Sequence, residues 1–239
     1  MSNYFVFDSI DTRDYGIDIF YDSVDDAPVR QYKTFTANGR NGVLVLDLKR
    51  YDNIDHSYDA IFRPTGNETA LRKYQSFRDA LYALQGYKTL YDSFNDGEHY
   101  KAYVSKLLKA TLTQQRDLVR AQITFSRKPE RFINSGNTPT QLTADGTITN
   151  PTSYESRPML RIYGVGTTYI GSQAIVITAA DEYTDIDCDA MLCYKGTANK
   201  GTLVSFSNNA FPTLKAGTNT ITLGTGITKV EITPRWYTL

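Results

Sequence analysis

Apolar and polar residues alternate with period two in short runs along almost the whole chain, and only one segment switches to a helical period. That pattern restricts the fold more than any other feature. Successive strand side chains point to opposite faces, so SYDAIFR (57–63), with Tyr58, Ala60 and Phe62 in one phase, reads as a half-buried strand. VLVLDL (43–48), YKAYVSKLL (100–108) and LVRAQITFS (118–126) read the same way. The exception is NETALRKYQSFRDALYALQG (67–86). There Leu71, Tyr74, Phe77 or Arg78, Leu81 and Leu84 recur at helical spacing, with Asn67 placed to cap the start and Gly86 the end. One amphipathic helix among strands should cover a face or end of a sheet, which makes the expected class mainly β with an α+β N-terminal part.

The later part alternates throughout. MLRIYG (159–164), AIVIT (174–178), DIDC (185–188), MLCY (191–194), NTITL (219–223) and KVEIT (229–233) are separated by Gly, Asn and Asp turns, which suggests a β-sandwich. Charge changes along the chain as well. Residues 1–150 hold 19 of the 26 basic and 19 of the 26 acidic side chains, and threonine is frequent in the rest. Between the two regions, INSGNTPTQLTADG (133–146) is rich in turn formers and reads as exposed chain. The boundary is expected at about 134–141, giving a mixed β/helix domain over 1–134 and a β-sandwich over 135–239.

Several function classes lose support from composition. Basic and acidic residues cancel, so the overall positive field that drives nucleic-acid binding is absent. No stretch approaches an apolar membrane span, and the N-terminal MSNYFVFDSIDTRD lacks the pattern of a signal peptide, so synthesis without one in a reducing compartment is expected. Cys188 and Cys193 make neither a disulfide framework nor, without a nearby His, a zinc site. His56 and His99 lie in no catalytic or metal motif and read as ordinary surface or loop residues. Gly164-Val165-Gly166 lacks the third glycine and the helix of a dinucleotide fingerprint. Asp185, Asp187 and Asp189 would share one strand face and could attract Ca²⁺, but the EF-hand positions fail, and a solvated face is the plainer reading. No catalytic residue, cofactor or metal is expected.

Charge pattern nominates contact residues instead. Residues 8–26 carry seven Asp, Asp22 and Asp25 among them, against Arg13 alone, whereas 101–131 are basic, with Lys106 and Lys109 among them. Both are either solvated faces or complementary surfaces that meet within or between subunits. Gly39 and Gly42 bracket Arg40 and Asn41 in a tight turn before the Val43 strand, either an ordinary hairpin or a subunit-contact loop. In the last strand Val230, Ile232, Pro234 and Trp236 share a phase, which directs the single tryptophan into the core unless Pro234 imposes a bulge.

An early YGIDI, NGRNG (38–42), YDNI (51–54), the helix, NPTSYESRPMLRIYG (150–164), IDCD (186–189), FPTLKAGTNTI (211–221) and KVEITPRWY (229–237) follow in order. Together they resemble the distal tail protein family of long-tailed bacteriophages over nearly the whole chain. The resemblance implies a ring-forming N-terminal domain, commonly six copies, and a galectin-like C-terminal β-sandwich. It implies a virion structural protein at the distal end of the tail, without enzymatic activity, made in the host cytoplasm. Its partners would be further copies of itself, the tail tube protein, the tail-tip or tail-associated lysin protein, and receptor-binding proteins. It implies neither direct nucleic-acid recognition nor membrane insertion. Two rivals come from other classes: a carbohydrate-binding module for host polysaccharide, and a polysaccharide-degrading enzyme.

Overall fold

The computed structural model describes residues 3–20, 27–113 and 117–239, apart from the side chains of 107–109. The chain forms two compact units, residues 1–131 with Leu239, and residues 132–238. It is mainly β.

The first unit contains β1 (Phe5–Phe7), β2 (Ile10–Asp11), β3 (Ile17–Phe20), β4 (Arg30–Thr36), β5 (Val43–Tyr51), β6 (Ile54–Phe62), α1 (Ala70–Ala83), β7 (Lys88–Asp92), β8 (Glu98–Thr113) and β9 (Leu118–Ile133). Its main sheet runs β2-β1-β7-β8-β9-β6-β3. β6 pairs with β9 along its whole length, from Ile54 opposite Arg127 to Phe62 opposite Val119. That register puts Tyr58, Ala60 and Phe62 on the buried face, in the phase the sequence gives them. The face is filled by aromatic rings. Phe5 lies 5.3 Å edge-on from Phe125, Phe7 4.9 Å from Phe125, and Phe62 5.6 Å from Phe77 of the helix. Each such ring fully buried contributes about 1.5–3 kcal/mol. Tyr58 also keeps a polar partner, since its hydroxyl donates to Asp92 Oδ2 at 2.6 Å, and burial together with Asp92 raises its pKa well above the usual phenol value.

The helix is shorter than its sequence signals. Thr69, not Asn67, is the N-cap and accepts the Arg72 N–H, because Thr65 and Glu68 first form a bridged turn. At the other end Leu84 turns extended before Gly86 is reached. The buried face is Ala70, Lys73, Phe77 and Leu81, and Leu71 is exposed. Lys73 is tolerated there because its Nζ donates to Thr65 Oγ1 at 2.6 Å and to the Tyr15 carbonyl at 3.3 Å. His56 and His99 are also buried rather than on the surface. His56 shares the inward phase of β6 and packs 4.6 Å from Tyr58, and His99 lies 5.2 Å from Tyr91.

In the second unit, β10 (Thr140–Leu142), β12 (Met159–Gly164), β15 (Tyr183–Asp187), β16 (Leu192–Lys195), β17 (Ala198–Asn199) and β20 (Ile227–Thr233) make one sheet, ordered β10-β20-β12-β15-β16-β17. The other is β11-β19-β13-β14-β18, built from β11 (Gly146–Asn150), β13 (Gly166–Ile170), β14 (Gln173–Ile177), β18 (Val204–Phe206) and β19 (Gly217–Leu223). A final pair of residues forms β21 (Tyr237–Thr238). Leu160, Ile162, Ile186 and Ile232 from the first sheet meet Ile148, Ile175, Ile177 and Ile221 from the second in one buried cluster, which makes a sandwich. Where β12 passes into β13, the chain touches a second loop backbone to backbone. A Cβ at Gly164 would lie 2.1 Å from the Gly226 carbonyl oxygen, and one at Gly224 2.1 Å from that of Thr167. The Gly-Val-Gly motif therefore serves close chain approach, not a phosphate.

The segment 133–146 is largely exposed, as expected, but it is anchored at two points. Thr140 to Leu142 pair with β20, and Gly136 is buried under Trp236, whose backbone N would lie 2.4 Å from an added Cβ. Trp236 is buried, as its phase predicts, but by a different route. Regular β20 ends at Thr233, Arg235 turns to φ 57°, and its N–H bonds to the Gly136 carbonyl at 2.8 Å.

Candidate assembly surface

β4 and β5 form a two-stranded sheet of their own. The register runs Tyr32 to Asp47, Lys33 to Leu46, Thr34 to Val45, Phe35 to Leu44 and Thr36 to Val43. Alternation therefore puts Phe35, Leu44 and Leu46 on one face, and Val43 and Val45 on the other. All five are exposed, up to 60% for Val45 and 52% for Leu46. VLVLDL is a strand, but not half-buried, and this is the largest departure from the sequence reading. A lone two-stranded hairpin is marginal in water, and an apolar one with open edges is a template for pairing. Exposed apolar groups concentrated on one element mark a contact surface.

The base of the hairpin is pinned. Arg30 Nε donates to Asp47 Oδ1 at 3.1 Å and its Nη2 to Oδ2, and this pairing holds the Asp47 carboxyl below the usual carboxylate range. Lys49 takes a left-handed backbone (φ 55°), with its N–H bonded to Asp47 Oδ1 at 2.9 Å, and the register shifts there. At the tip, residues 37–42 form a six-residue connection that contains one tight turn, in which the Arg40 N–H donates to the Ala37 carbonyl at 3.3 Å, with Gly39 at φ 75° and Gly42 at φ 81°. Arg40 and Asn41 stand exposed on it.

Of the other nominated contact residues, Lys106 is exposed on β8. Asp22, Asp25 and the Lys109 side chain lie outside the described residues. Among the described residues, the ion pairs of the acidic segment are Asp11 with Arg13 and Asp18 with Arg63.

Of the three aspartates 185, 187 and 189, the first two are not a solvated face, because each is held by an arginine, whereas Asp189 is exposed. Arg161 grips the buried Asp185 at 2.7 and 3.0 Å, Arg235 grips Asp187 at 2.7 and 3.0 Å, and Arg157 lies 3.7 Å from Asp189. Burial works to raise the Asp187 pKa, but the bonds from Arg235 and from the Ala190 backbone hold it below the usual carboxylate range. Sequence reading missed these pairs because the partners sit 24 and 48 residues away. The two thiols are buried in the sandwich core, and desolvation pushes Cys193 up to about 11 and Cys188 higher still, which leaves both unreactive at neutral pH. Among the described residues no cluster of His, Cys, Asp and Glu could hold a metal, and no helix is long and apolar enough to cross a membrane.

No protein-family model matches the chain, and no curated protein does. Solved structures do. The chain is similar to the Dit protein of phage SPP1, described as a paradigm of hub adsorption apparatus in phages infecting Gram-positive hosts, with TM-score 0.70, 13% identity and 100% of both chains covered. It is also similar to chains of the phage P2 baseplate in its activated conformation. One, with Ca, has TM-score 0.55 and 12% identity, and another, with Sr, 0.53 and 10%, each covering 97% of this chain and 98% of the other. The chain thus shares, end to end, the fold of a phage tail hub component.

Proposed function

We propose that the chain is a distal tail protein, a structural hub at the tail tip of a long-tailed phage, without enzymatic activity. Copies of the chain assemble into a ring through the N-terminal unit. The ring joins the tail tube to the tail-tip or lysin protein and anchors receptor-binding components at the distal end of the virion tail. The observation that carries this reading is the exposed apolar β4–β5 hairpin on a chain whose fold matches a hub protein over its whole length. A protein active as a monomer has no use for five exposed aliphatic and aromatic side chains on one lone hairpin. The division of labour follows the two units, with residues 1–134 forming the ring and the sandwich over 135–239 facing partners. A carbohydrate-binding role gains nothing from the structure's single tryptophan, which is buried and offers no stacking face.

Light scattering on the purified chain, with negative-stain images, tests the proposal. Annular particles at a small multiple of 26.9 kDa are expected. A monomer at every concentration, with turnover or glycan binding, would replace this reading.

A further inference from the structure

The tip of the β4–β5 arm holds a reactive pair of residues twice over. Asparagine precedes glycine at only two places in the chain, Asn38-Gly39 and Asn41-Gly42, and both fall on the six residues that join β4 to β5. All four residues are exposed. Because the Arg40 N–H donates to the Ala37 carbonyl, Asn38 and Gly39 are the two corners of one turn, and only the glycine corner is left-handed. That is the pattern of a type II turn, whose one hydrogen bond joins its first and fourth residues and leaves the third N–H unused. Gly42 repeats the left-handed backbone after Asn41. Among the described residues neither side-chain amide and neither glycine N–H has a hydrogen-bond partner, and a Cβ at either glycine would meet nothing within 4 Å.

An unbonded glycine nitrogen beside an unbonded asparagine side chain can close a five-membered ring. The Gly39 nitrogen, its proton taken by hydroxide, attacks Asn38 Cγ. A C–N bond forms, the Cγ–Nδ2 bond breaks, and the side-chain nitrogen leaves as ammonia. Solvent water then opens the succinimide at either carbonyl. Opening at Cγ restores the main chain and leaves aspartate, whereas opening at the main-chain carbonyl routes the chain through Cγ and leaves isoaspartate. One water enters and one ammonia departs, and nothing is oxidised or reduced. A side chain on the following residue would crowd the attacking nitrogen, and glycine has none. Asparagines elsewhere lack one of these requirements. Pro151 after Asn150 has no N–H to attack, Asn219 is buried with its Nδ2 donated to the Lys215 and Gly217 carbonyls at 2.8 and 3.0 Å, and the Asn95 amide donates to Asp92 Oδ1 at 3.1 Å.

We propose that Asn38 and Asn41 are sites of spontaneous deamidation, each event placing a new carboxylate at the tip of the arm. Residues 27–52 hold five Lys and Arg against Asp47 and Asp52, so two events lower the arm's net charge from +3 to +1. Chains aged in solution then present a different tip from fresh ones, whether or not the tail-hub reading holds. The test incubates the full-length chain in heavy-oxygen water at neutral and at mildly alkaline pH, followed by trypsin digestion in ordinary water and mass spectrometry. Cleavage after Lys33, Arg40 and Lys49 puts the two sites on separate peptides, 34–40 and 41–49. Each should lose its amide and gain one heavy oxygen several-fold faster than any other asparagine peptide, at a rate that rises with hydroxide. Part of the product should be isoaspartate, detected by enzymatic carboxyl methylation. Asn38→Gln with Asn41→Gln, its folding checked by circular dichroism, should abolish both changes, because glutamine needs a larger ring. Gly39→Ala with Gly42→Ala keeps both amides and should slow their loss several-fold. Tip peptides that keep their amides would overturn the proposal. So would loss at the exposed Asn199 as fast as at the tip, or an alanine variant that deamidates at the wild-type rate, since neither fits ring closure through an open glycine nitrogen.

Discussion

β5 and β6 are neighbouring nine-residue strands of similar apolar content, and they meet opposite fates. Along β6, His56, Tyr58, Ala60 and Phe62 vanish into an aromatic core, and along β5 every aliphatic side chain stays exposed. Period two fixes which residues share a face and carries no information on what lies against that face. For β6 the partner is β9 of the same chain, and for β5 it is proposed to be another copy. The difference predicts that equal truncations on the two strands' faces have very unequal costs.

The largest cost belongs to the ring that β6 packs on. Phe125→Ala should destabilise the first unit by about 3–5 kcal/mol, because Phe5, Phe7 and Tyr58 all pack on that ring and cannot collapse into the space it leaves. Urea unfolding followed by circular dichroism measures it. A loss below about 1 kcal/mol would erase the contrast with the arm.

Much of this architecture was legible in the sequence, and the failures have a common cause. The strands at 57–62, 159–164, 219–223 and 229–233, the single helix and the buried tryptophan all follow from local periodicity. What stayed hidden depends on residues distant in sequence. Thr69 displaces Asn67 as cap because Thr65 and Glu68 bridge first, and Lys73 enters a buried face because Thr65 and Tyr15 receive its ammonium. Arg161 and Arg235 turn an apparent acidic surface into paired carboxylates. For the proposed assembly surface, the turn residues Arg40 and Asn41 lie on the hairpin that the structure leaves exposed, but the signal read there was glycine spacing, whereas the structure's signal is exposure.

The loop crossing in the sandwich sharpens the comparison at intermediate cost. Gly224→Ala should cost about 1–3 kcal/mol, since its Cβ would press on the Thr167 carbonyl, a backbone atom that cannot swing aside. Gly39 in the arm tip has open space around its Cβ and only a left-handed backbone to satisfy, so Gly39→Ala should cost the smaller strain of that conformation, about 1 kcal/mol. Denaturant midpoints of the two variants, the former read by Trp236 emission, should separate accordingly. Equal costs would mean that crowding plays no part.

Asp187→Asn removes a bidentate pair and should cost the sandwich about 1–3 kcal/mol at pH 7. The sign of its pH dependence follows from the depressed carboxyl. The pair's stability is present above the unfolded carboxyl's pKa, and is lost as pH falls below that value and through the lower folded one. The gap between wild type and Asp187→Asn should therefore be widest at neutral pH and narrow toward pH 2, followed by Trp236 emission. A gap that grows in acid would show that Arg235 does not hold this carboxylate in its charged form.

The smallest effect is the most telling. Leu46 is 52% exposed on a hairpin that buries none of its apolar side chains, so in the monomer a polar residue of high strand propensity removes almost no packed surface. Leu46→Thr should shift the monomer's unfolding free energy by no more than about 0.5 kcal/mol, the range of surface substitutions away from special features. The same change should weaken assembly, because the leucine's exposed area is what a second copy would cover. Hydrogen exchange separates the two states on a single residue range. The amides of β4 and β5 should exchange rapidly in dilute monomer and become protected on assembly, whereas those of β6 should be protected in both. If Leu46→Thr instead unfolds the monomer, the arm is packed within its own chain, and β5 and β6 differ only in degree.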